Sequence, residues 1–558
     1  MAAPDSTRPD WRARALGFLF SPRGIVVLAT IYLLVGLFGH DPWRGDDSRY
    51  FGPIVGALRD GHWLVPTTGG EAYLEYPPLY YWLGAALAWL AGPILPLHDG
   101  ARLASAFSIG ATLFFLARAA TALFGRPTLS TVCLLALGTL GLVVHAHETQ
   151  PILAILATST LTLAALAKLP RSPRWAGLVA GAGLGLSFLA GGLAGAVPSA
   201  ALIVAALTAP PQETAGSSRR ALLAGVMVSG AIAAAWLAPF FVSQPDTASL
   251  WWRLQVANLV PSLDNLQHPA FMVQQLGWFL WPLWPIAGWA LWRERHRLTT
   301  FGWRLALAFL VTTLATVLLL ADSLRPANLL PLIPPLALIA SAGVQSLRRG
   351  AASAFDWFAI MTFLVFAILV VLAWTAMGLA WPPGLARQLV KLAPGFRLEF
   401  SLGPGIVGGI LVAGWLALVW NAPRSPNRGA INWATGTTML WTLAVILLMP
   451  WFDHGKSYRP AAEGLARTAH AIRAECIAVE EISPSLRASL SYFTEIPLAP
   501  LATWGHSCSL RLVAMDHREA LPALPSSARR VWEYRRGGGR QLEVLQLYRL
   551  ADSSPRRP

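Results

Sequence analysis

Two adjacent aspartates open a polar segment that is rich in side chains able to do chemistry. Asp46 and Asp47 lie in WRGDDSRYFG, and Glu75 follows in EAYLEYPPLYYWL. An aspartate at the start of a helix commonly caps that helix, whereas one that faces an enclosed cavity can act as a general base. Apolar residues at helical spacing come next, namely Tyr50, Ile54, Val55 and Leu58. The residues alone predict a helix that begins near the aspartates, and they leave both roles open.

Further polar residues occur in other segments between the apolar runs. Arg49 and Arg325 lie in such segments, and each could be a surface arginine whose charge reaches water. The segment HAHETQP contains Glu148 and Gln150, and His268 lies in a later polar segment. These five residues are therefore candidates for a binding site.

The same segments could bind a divalent metal ion. Carboxylate and imidazole groups bind such ions, so Glu75 and His268 are candidate metal ligands. No tight ligand spacing such as HExxH occurs, and the alternative is hydrogen bonding by these side chains at the membrane surface. No other cofactor is predicted.

The elements that must position these residues are strongly apolar. Of the 558 residues, 55% are hydrophobic and 13% are charged, and the mean hydropathy is +0.51. A soluble domain carries about 25% charged residues. Apolar runs of about 17 to 23 residues recur between Gly24 and Pro450, and each can cross the roughly 30 Å of a bilayer core as a helix. The composition predicts a polytopic α-helical membrane protein.

The formal charge of +15 is carried mostly by short basic clusters between the apolar runs. This arrangement follows the positive-inside rule and argues against nucleic acid as the partner. It predicts about thirteen spans in a bacterial inner membrane, with a cytoplasmic N-terminus and a periplasmic tail after Trp451. The stretch Pro78–Pro96 is interpreted as an interfacial helix in the first outer loop, about 40–100. The predicted spans are roughly 24–39, 101–122, 127–145, 151–168, 175–190, 192–208, 221–243, 276–292, 303–321, 329–346, 356–377, 404–421 and 430–450.

From Trp451 the chain becomes polar and changes its periodicity. AAEGLARTAHAIRA has the pattern of a helix, and CIAVEE, RLVAM, RRVWEY and LEVLQLYRL have that of strands. The pattern predicts a membrane domain over 1–450, a small α/β domain over 451–550 and a disordered tail over 551–558. In an oxidising periplasm Cys476 and Cys508 are expected to form a disulfide, the alternative being two buried free thiols.

The first outer loop resembles that of a known family. Its order is Asp-Asp-Ser-Arg-Tyr, then GHWLVP, then YLEYPPLYYW. This resembles the first periplasmic loop of the aminoarabinose lipid A transferases and their protein O-mannosyltransferase relatives, which are membrane glycosyltransferases of the GT-C class. The likeness is strong in this loop and looser elsewhere. Two positions depart from the family pattern, because Tyr76 stands where lysine is expected and Gln150 where an aspartate is expected.

The resemblance implies an inverting transfer of a sugar from an undecaprenyl-phosphate carrier to a lipid, glycan or protein acceptor. Asp46 would take the proton of the acceptor hydroxyl, and Arg49 and Arg325 would stabilise the leaving phosphate. Residues expected to bind the carrier phosphate or the sugar are Arg49, Tyr50, Glu75, Tyr76, Arg325 and His268. Glu148 and Gln150 are further candidates from the second outer loop, about 145–151, which is called the second loop below. On this basis Asp46→Asn is expected to abolish transfer and Asp47→Asn to be much milder.

Two other functions remain open at this point. A transporter or flippase would also be polytopic, but its usual signs are charges inside the spans or repeated, broken helices. Here the charges lie at span ends and no repeat is evident. A non-catalytic relative that serves as a binding or assembly subunit is the second alternative, which the departures at Tyr76 and Gln150 keep open.

Overall fold

The computed structural model describes residues 21–125, 128–267, 269–320, 325–421, 425–480, 482–501, 507–516, 528–537 and 543–550. The first half of the chain contains α1 (Pro22–Leu34), α2 (Asp46–Arg59), β1 (Thr67–Thr68), β2 (Glu71–Ala72), α3 (Leu79–Ala91), α4 (Leu97–Phe124), α5 (Thr128–Leu137), α6 (Leu142–His145), α7 (Ile152–Leu166), α8 (Pro173–Thr208), α9 (Ala215–Ser243) and α10 (Pro245–Ala257). The second half of the membrane domain contains α11 (Pro269–Phe279), α12 (Leu283–Arg293), α13 (Phe301–Leu319), α14 (Ile333–Gly343), α15 (Arg349–Leu379), α16 (Pro383–Leu392), α17 (Leu402–Asn421) and α18 (Arg428–Lys456). The C-terminal part contains α19 (Arg459–Ile472), β3 (Ile477–Val479), α20 (Pro484–Thr494), β4 (Leu498–Pro500), β5 (Leu510–Asp516), β6 (Arg529–Arg536) and β7 (Glu543–Arg549).

The chain is a multi-pass membrane protein, as its composition predicts. Within the described ranges, eight helical segments are long and apolar enough to cross a bilayer, and α1, α3, α5 and α7 are shorter apolar helices. α3 occupies most of the stretch predicted to be interfacial. Its 13 residues extend about 20 Å, less than the roughly 30 Å of a bilayer core. The span count of about thirteen and the orientation of the termini stay predictions.

The third and eighth predicted spans are broken rather than continuous helices, which corrects the sequence interpretation. α5 is separated from α6, and α11 ends before Pro282, which has no N–H to continue a helical ladder. The backbone groups left without helical partners at the two breaks form hydrogen bonds with each other. The N–H of Leu140 donates to the carbonyl of Trp281 (3.2 Å), and that of Gly141 donates to the carbonyl of Phe279 (2.9 Å). Non-helical backbone within a membrane protein requires such internal partners, because lipid offers none.

The fifth and sixth predicted spans both lie in α8, which folds back on itself. Gly191 and Gly192 have non-helical backbone angles, and the φ of Gly192 is 64°, a conformation that glycine adopts without strain. The Ser187 and Ser199 hydroxyls are 2.8 Å apart, whereas twelve residues of straight helix extend about 18 Å. α8 is therefore two packed helices joined by a tight glycine turn, and the break agrees with the predicted boundary at 191.

The first outer loop is folded into a small layer of its own. α2 is followed by the hairpin of β1 and β2, in which Thr67 pairs with Ala72 and Thr68 with Glu71. Gly69 and Gly70, with φ values of 55° and 82°, form the two-residue turn that this hairpin geometry requires. The predicted apolar stripe of α2 is inward, since Tyr50, Ile54 and Val55 are buried. The loop thus holds the two aspartates on a helix that is fixed by packing.

The C-terminal part forms a five-stranded sheet with the strand order β4-β3-β5-β7-β6. β3 runs parallel to β4 and β5, while β7 runs antiparallel to β5 and β6. The helix and four strands predicted from the sequence are all present, whereas α20 and β4 were not predicted. α18 continues through Lys456, so the last long helix ends later than expected. The tail 551–558 lies outside the described residues.

The predicted cysteine pair has the geometry of a disulfide. The Sγ atoms of Cys476 and Cys508 are 2.00 Å apart and their Cα atoms 5.4 Å apart, within the roughly 7 Å that such a bond spans. The third cysteine, Cys133, is buried and free. The bond joins the start of β3 to the segment that leads into β5.

The sheet domain is fastened to the first loop by polar contacts. Arg459 at the start of α19 forms an ion pair with Asp41 at 2.5 Å, and the Ser457 hydroxyl donates to the same carboxylate at 2.7 Å. Burial would raise the pKa of Asp41, but these hydrogen bonds hold it below its usual value. The hydroxyl of Ser485 accepts the main-chain N–H of Gly45 at 2.9 Å. The C-terminal domain therefore supports the loop immediately before Asp46.

Candidate active site

The start of α2 separates the roles of its two aspartates. The N-cap residue is Gly45, with a φ of 99°, and among the described residues no side chain caps this end of the helix. The capping interpretation of Asp46 and Asp47 is therefore wrong. The physical reason is that the chain turns at glycine, which places both aspartates within the first helical turn rather than before it.

Asp47 lies in a closed network of charges. Its side chain and that of Arg102 are fully buried, with Nη2 of Arg102 2.8 Å from Oδ2 of Asp47. The main-chain N–H groups of Trp43 (2.9 Å) and Thr149 (2.7 Å) also donate to the Asp47 carboxylate. Burial would raise the pKa of Asp47, but the charge and hydrogen bonds of Arg102 keep it well below its usual value. Asp47 is therefore a permanently charged structural group.

Arg102 uses the rest of its guanidinium to hold the chain between α1 and α2. It donates to the carbonyls of His40 (2.9 Å) and Asp41 (2.7 Å) and to the Asp99 carboxylate (2.9 Å). A buried arginine is stable only when its donors are paired in this way. The network fixes the path of the chain that leads to the two aspartates.

Asp46 is the accessible member of the pair. Its side chain is 22% exposed, and its Oδ1 lies 3.9 Å from Nη1 of Arg325. The side-chain amide of Gln150 donates to its Oδ2 at 3.3 Å. One amide and one cation therefore orient the carboxylate while it remains open to a ligand, which is the arrangement that a general base requires.

Glu75 lies between two arginines beside Asp46. Its Oε2 is 2.5 Å from Nη2 of Arg49, and its Oε1 is 3.2 Å from Nη2 of Arg325. The hydroxyl of Tyr50 donates to Oε1 at 3.1 Å, and the hydroxyl of Tyr73 donates to Oε2. Tyr73 also accepts from Nε of Arg49 at 2.6 Å. Glu75 thus holds both guanidiniums at the mouth of the site.

The protonation states in this cluster follow from burial and neighbouring charge. Burial opposes the charged form of Arg49, but its interactions with the Tyr73 hydroxyl and with the charge of Glu75 outweigh burial and raise the pKa of Arg49. Burial, followed by the charge of Glu75, raises the pKa of Tyr76. Arg49 is therefore a fixed cation and Tyr76 a neutral phenol, which packs edge-on against Tyr50 at 5.5 Å.

The second loop contributes Gln150 and not Glu148. Gln150 is almost fully buried and reaches Asp46, while its main-chain N–H donates to the Tyr80 hydroxyl at 2.9 Å. Glu148 instead lies 3.3 Å from Nδ1 of His145. The expectation that either residue could enter the site is corrected to Gln150, because the Tyr80 hydrogen bond fixes the loop with position 150 toward Asp46.

The metal hypothesis does not fit the side chains that surround Glu75. The carboxylate is already bound by two guanidiniums, and a divalent cation there would meet two like charges. Over the described ranges no group of three or more His, Cys, Asp or Glu side chains is arranged to hold a metal ion. The other proposed ligand, His268, lies outside the described residues.

A polar cavity opens on the accessible side of Asp46. Its volume is about 390 Å³, and it separates the first loop from the C-terminal domain. The lining residues are Arg44, Gly45, Asp46 and Arg49 from the loop, with Tyr458, Ser483, Pro484 and Ser485 from the domain. No sequence motif marks Tyr458 or Ser485, so the sequence analysis did not predict that the C-terminal domain borders this site.

Three residues that the sequence analysis did not name, Tyr73, Asp99 and Arg102, carried a signal that could have been used. Tyr73 and Glu75 are two residues apart in an extended stretch, so their side chains point the same way, and both contact Arg49. Asp99 and Arg102 are charges at the start of an apolar run, and such charges usually have a partner inside the protein. The spacing alone did not identify that partner as Asp47.

Comparison with known proteins agrees with the predicted resemblance. No family model matches the chain. The undecaprenyl phosphate-α-4-amino-4-deoxy-L-arabinose arabinosyl transferase of Pseudomonas savastanoi pv. phaseolicola is 29% identical over 59% of this chain and 62% of its own length. The enzyme named arabinosyl transferase 1 from Pseudomonas fluorescens is 26% identical over 57% of this chain and 56% of its own length. The chain thus matches about three fifths of the length of these curated relatives.

Solved structures extend the similarity to the whole fold. The crystal structure of ArnT from Cupriavidus metallidurans bound to undecaprenyl phosphate has a TM-score of 0.65 at 17% identity and covers 94% of this chain and 98% of the other. The apo form of the same protein gives the same TM-score at 18% identity. The resemblance to the aminoarabinose transferases is confirmed, and the chain has their polytopic GT-C fold.

Proposed function

We propose that this GT-C chain is an inverting glycosyltransferase that uses a polyprenyl-phosphate-linked sugar, with Asp46 as its general base. The observation that carries the proposal is the position of Asp46 at the edge of the polar cavity, beside two fixed guanidiniums. A carboxylate that is oriented but still accessible can accept a proton, and nearby cations can stabilise a departing phosphate. The names of the relatives, which specify an undecaprenyl phosphate sugar, support the same donor class.

The proposed reaction is a single displacement. The acceptor hydroxyl gives its proton to Asp46 while its oxygen forms a bond to the anomeric carbon of the sugar. The bond from that carbon to the carrier phosphate oxygen breaks on the opposite face, and the phosphate leaves with the bonding electrons. Arg49 and Arg325 meet the charge that develops on the phosphate. Glu75 keeps the two guanidiniums in place before the carrier arrives.

The departure at Tyr76 changes how the carrier would be bound. A neutral phenol stands where the family pattern has lysine, so the proposed phosphate site has two cations, Arg49 and Arg325. Tyr50 and Tyr76 would then contribute hydroxyl groups and ring surface to the sugar or the phosphate. The proposed role of His268 in the same site rests on the sequence resemblance.

The proposed setting is the bacterial inner membrane, with the Asp46 loop and the C-terminal domain both in the periplasm. About thirteen spans and the positive-inside distribution support this orientation. A reporter fused after Pro558 should be active only in the periplasm, and cytoplasmic activity would refute the proposed topology. The acceptor is a lipid, a glycan or a protein that presents a nucleophilic oxygen to the cavity.

The decisive experiment replaces Asp46 by asparagine. The amide keeps the shape and hydrogen bonding of the side chain but cannot take up the proton. General-base catalysis commonly contributes about 10²- to 10⁴-fold, so purified Asp46→Asn should lose about that much transfer from a polyprenyl-phosphate donor while its melting temperature is unchanged. Asp60→Asn, an exposed aspartate in the same loop, is the matched control and should remain fully active.

The same assay distinguishes the alternatives. A transporter or flippase would move the lipid-linked sugar without breaking its glycosidic bond, and a non-catalytic subunit would show no transfer by the wild type. Near-normal transfer by Asp46→Asn would remove this residue from the mechanism, leaving Glu75 as the carboxylate of the site to test. Loss of activity together with loss of folding in Asp46→Asn would also contradict the proposed role.

A further inference from the structure

An apolar groove lies on the membrane domain far from Asp46. It is enclosed between the segment leading into α12 and the start of α15, and it has a volume of about 480 Å³. We call it the Trp289 groove, defined by Trp281, Ile286, Trp289, Arg348, Ala354 and Phe358. Its size lies within the range of about 300 to 1,000 Å³ that is usual for small-molecule sites.

The groove lies in the half of the bilayer opposite the Asp46 site. The candidate span Pro326–Ser346 begins directly after Arg325 and ends just before Arg348. These two arginines therefore lie at opposite ends of one span. Trp281 lies 5.3 Å from the Phe358 ring, and the Arg348 guanidinium lies 6.0 Å from the Trp289 ring. The Trp281 and Phe358 end is therefore the deep end, and the Trp289 and Arg348 end is the mouth.

The dimensions of the groove match one leaflet. Trp289 lies six residues after Leu283, the first residue of α12, which is about 9 Å along the helix, and Trp281 lies two residues before that start. One leaflet contributes roughly 15 Å of hydrocarbon. The walls also face outward, since Ala354 and Phe358 are exposed on α15, the most apolar of the candidate spans. A single hydrocarbon chain that enters at the mouth would therefore reach the deep end.

The mouth of the groove carries positive charge. Arg348 is exposed, and in the part of the chain that the structure describes it has no ion pair. Trp289, which lies under its guanidinium, is held in place by a hydrogen bond from its indole N–H to the Ser346 hydroxyl (3.2 Å). The acidic residue on the same part of α15, Asp356, is paired with Arg428 at 3.0 Å. The cation at the mouth is thus free to pair with a ligand.

We propose that the Trp289 groove binds one anionic phospholipid from the leaflet opposite the active site, with an acyl chain along the groove and its phosphate at Arg348. Charge complementarity and the length of the groove select this occupant. A zwitterionic lipid would offer the same chain but no net charge to Arg348.

The proposal is tested by native mass spectrometry of the purified full-length chain. The protein is titrated with phosphatidylglycerol and with phosphatidylcholine that have the same acyl chains. The wild type should retain one phosphatidylglycerol about fivefold more tightly than phosphatidylcholine, which is the contribution of one arginine near a membrane surface. Arg348→Gln should abolish this preference, and Arg349→Gln, the matched loss of charge outside the groove, should preserve it.

A second pair of variants tests the groove itself. Ala354→Phe fills the groove and should prevent retention of both lipids, whereas Ser353→Phe, one residue earlier on the same helix, should retain them as the wild type does. Equal retention of the two lipids by the wild type would overturn the proposal. The same effect from Arg349→Gln as from Arg348→Gln would overturn it as well, and so would unchanged retention by Ala354→Phe.

Discussion

The surroundings of Asp47 and of Asp46, two neighbouring aspartates of α2, differ in burial and in the number of hydrogen-bond partners. Asp47 is fully buried and receives an arginine and two main-chain N–H groups. Asp46, its neighbour in the chain, is 22% exposed and has one long ion pair and one amide donor. Successive residues on a helix point about 100° apart. A rotation of about 100° between neighbouring residues therefore separates a structural carboxylate from an available one.

The comparison shows how a reactive carboxylate can be positioned without being neutralised. Every acceptor position of Asp47 receives a donor that fixes the loop. The loop is therefore held rigidly, but the Asp47 carboxylate has no position left to accept a proton. On the side of Asp46 the cations are held by Glu75, and the carboxylate that we propose as the base is left largely free. A base must be held in place by a neighbouring structure, because direct pairing would remove its capacity to accept a proton.

The largest expected effect on stability comes from removing the buried ion pair between Asp47 and Arg102. Asp47→Asn leaves Arg102 with one carboxylate, Asp99, inside the protein. Removing one partner of a buried ion pair costs about 3 to 5 kcal/mol, and the remaining pair places this case near about 3 kcal/mol. Thermal unfolding of the detergent-solubilised protein should show the loss. The expectation from the sequence concerned sugar transfer, in which Asp47→Asn was predicted to be much milder than Asp46→Asn, and it stays a prediction.

The pH dependence of the same variant provides an internal check. Despite burial, the charge and hydrogen bonds of Arg102 hold the pKa of Asp47 in the folded protein below the ordinary value of an aspartate, about 3.9. The contribution of Asp47 to stability is therefore fully present above that ordinary value and is lost as the pH falls through the folded pKa. The stability difference between wild type and Asp47→Asn should therefore be constant from about pH 5 to 8 and shrink below about pH 4. A difference that already shrinks near neutral pH would contradict the assignment.

A smaller effect, on sugar transfer rather than on stability, is expected when the arginine beside Asp46 is replaced. Arg325→Gln removes a guanidinium that is 38% exposed, so folding should be little affected. A charge-assisted hydrogen bond contributes about 1.5 to 3 kcal/mol, and transfer should therefore fall about 10- to 100-fold. Arg325→Lys should recover part of the activity, while the exposed Arg387→Gln should have none of these effects. Equal activity of Arg325→Gln and wild type would exclude this arginine from phosphate stabilisation.

The sequence predicted the local parts of this arrangement well. The apolar stripe of α2, the C-terminal strands and the break at Gly191 all follow from patterns of a few residues, which local geometry determines. The short length of α3 also agreed with its interfacial interpretation. These features need no knowledge of what lies across the fold.

The parts that could not be predicted depend on distant partners. Asp46 and Asp47 are indistinguishable by type and position, and only Arg102 determines which of them is buried. The broken helices near Gly141 and Phe279 look continuous in sequence, because the carbonyl that satisfies one break lies in the other. The wall that Ser485 and Tyr458 give to the cavity comes from more than four hundred residues away in the chain. Periodicity carries no information about such pairings.

The smallest expected effect concerns Gln150, which stands where the resemblance predicts an aspartate. Gln150→Leu keeps most of the buried volume and the main-chain hydrogen bond to Tyr80 but removes the amide that orients Asp46. One hydrogen bond contributes about 1 kcal/mol, so transfer should fall about fivefold with an unchanged melting temperature.

Gln150→Glu sharpens this prediction, because its shape is that of glutamine but it replaces a donor with a second carboxylate next to Asp46. Two carboxylates at hydrogen-bonding distance disfavour the shared charged state, so transfer at neutral pH should fall further than in Gln150→Leu. The order of activity is then glutamine, leucine, glutamate. If glutamate at this position were as active as glutamine, Asp46 would not depend on a donor from the second loop, and the distinction between the exposed and the buried aspartate would rest on Arg325 and Glu75 alone.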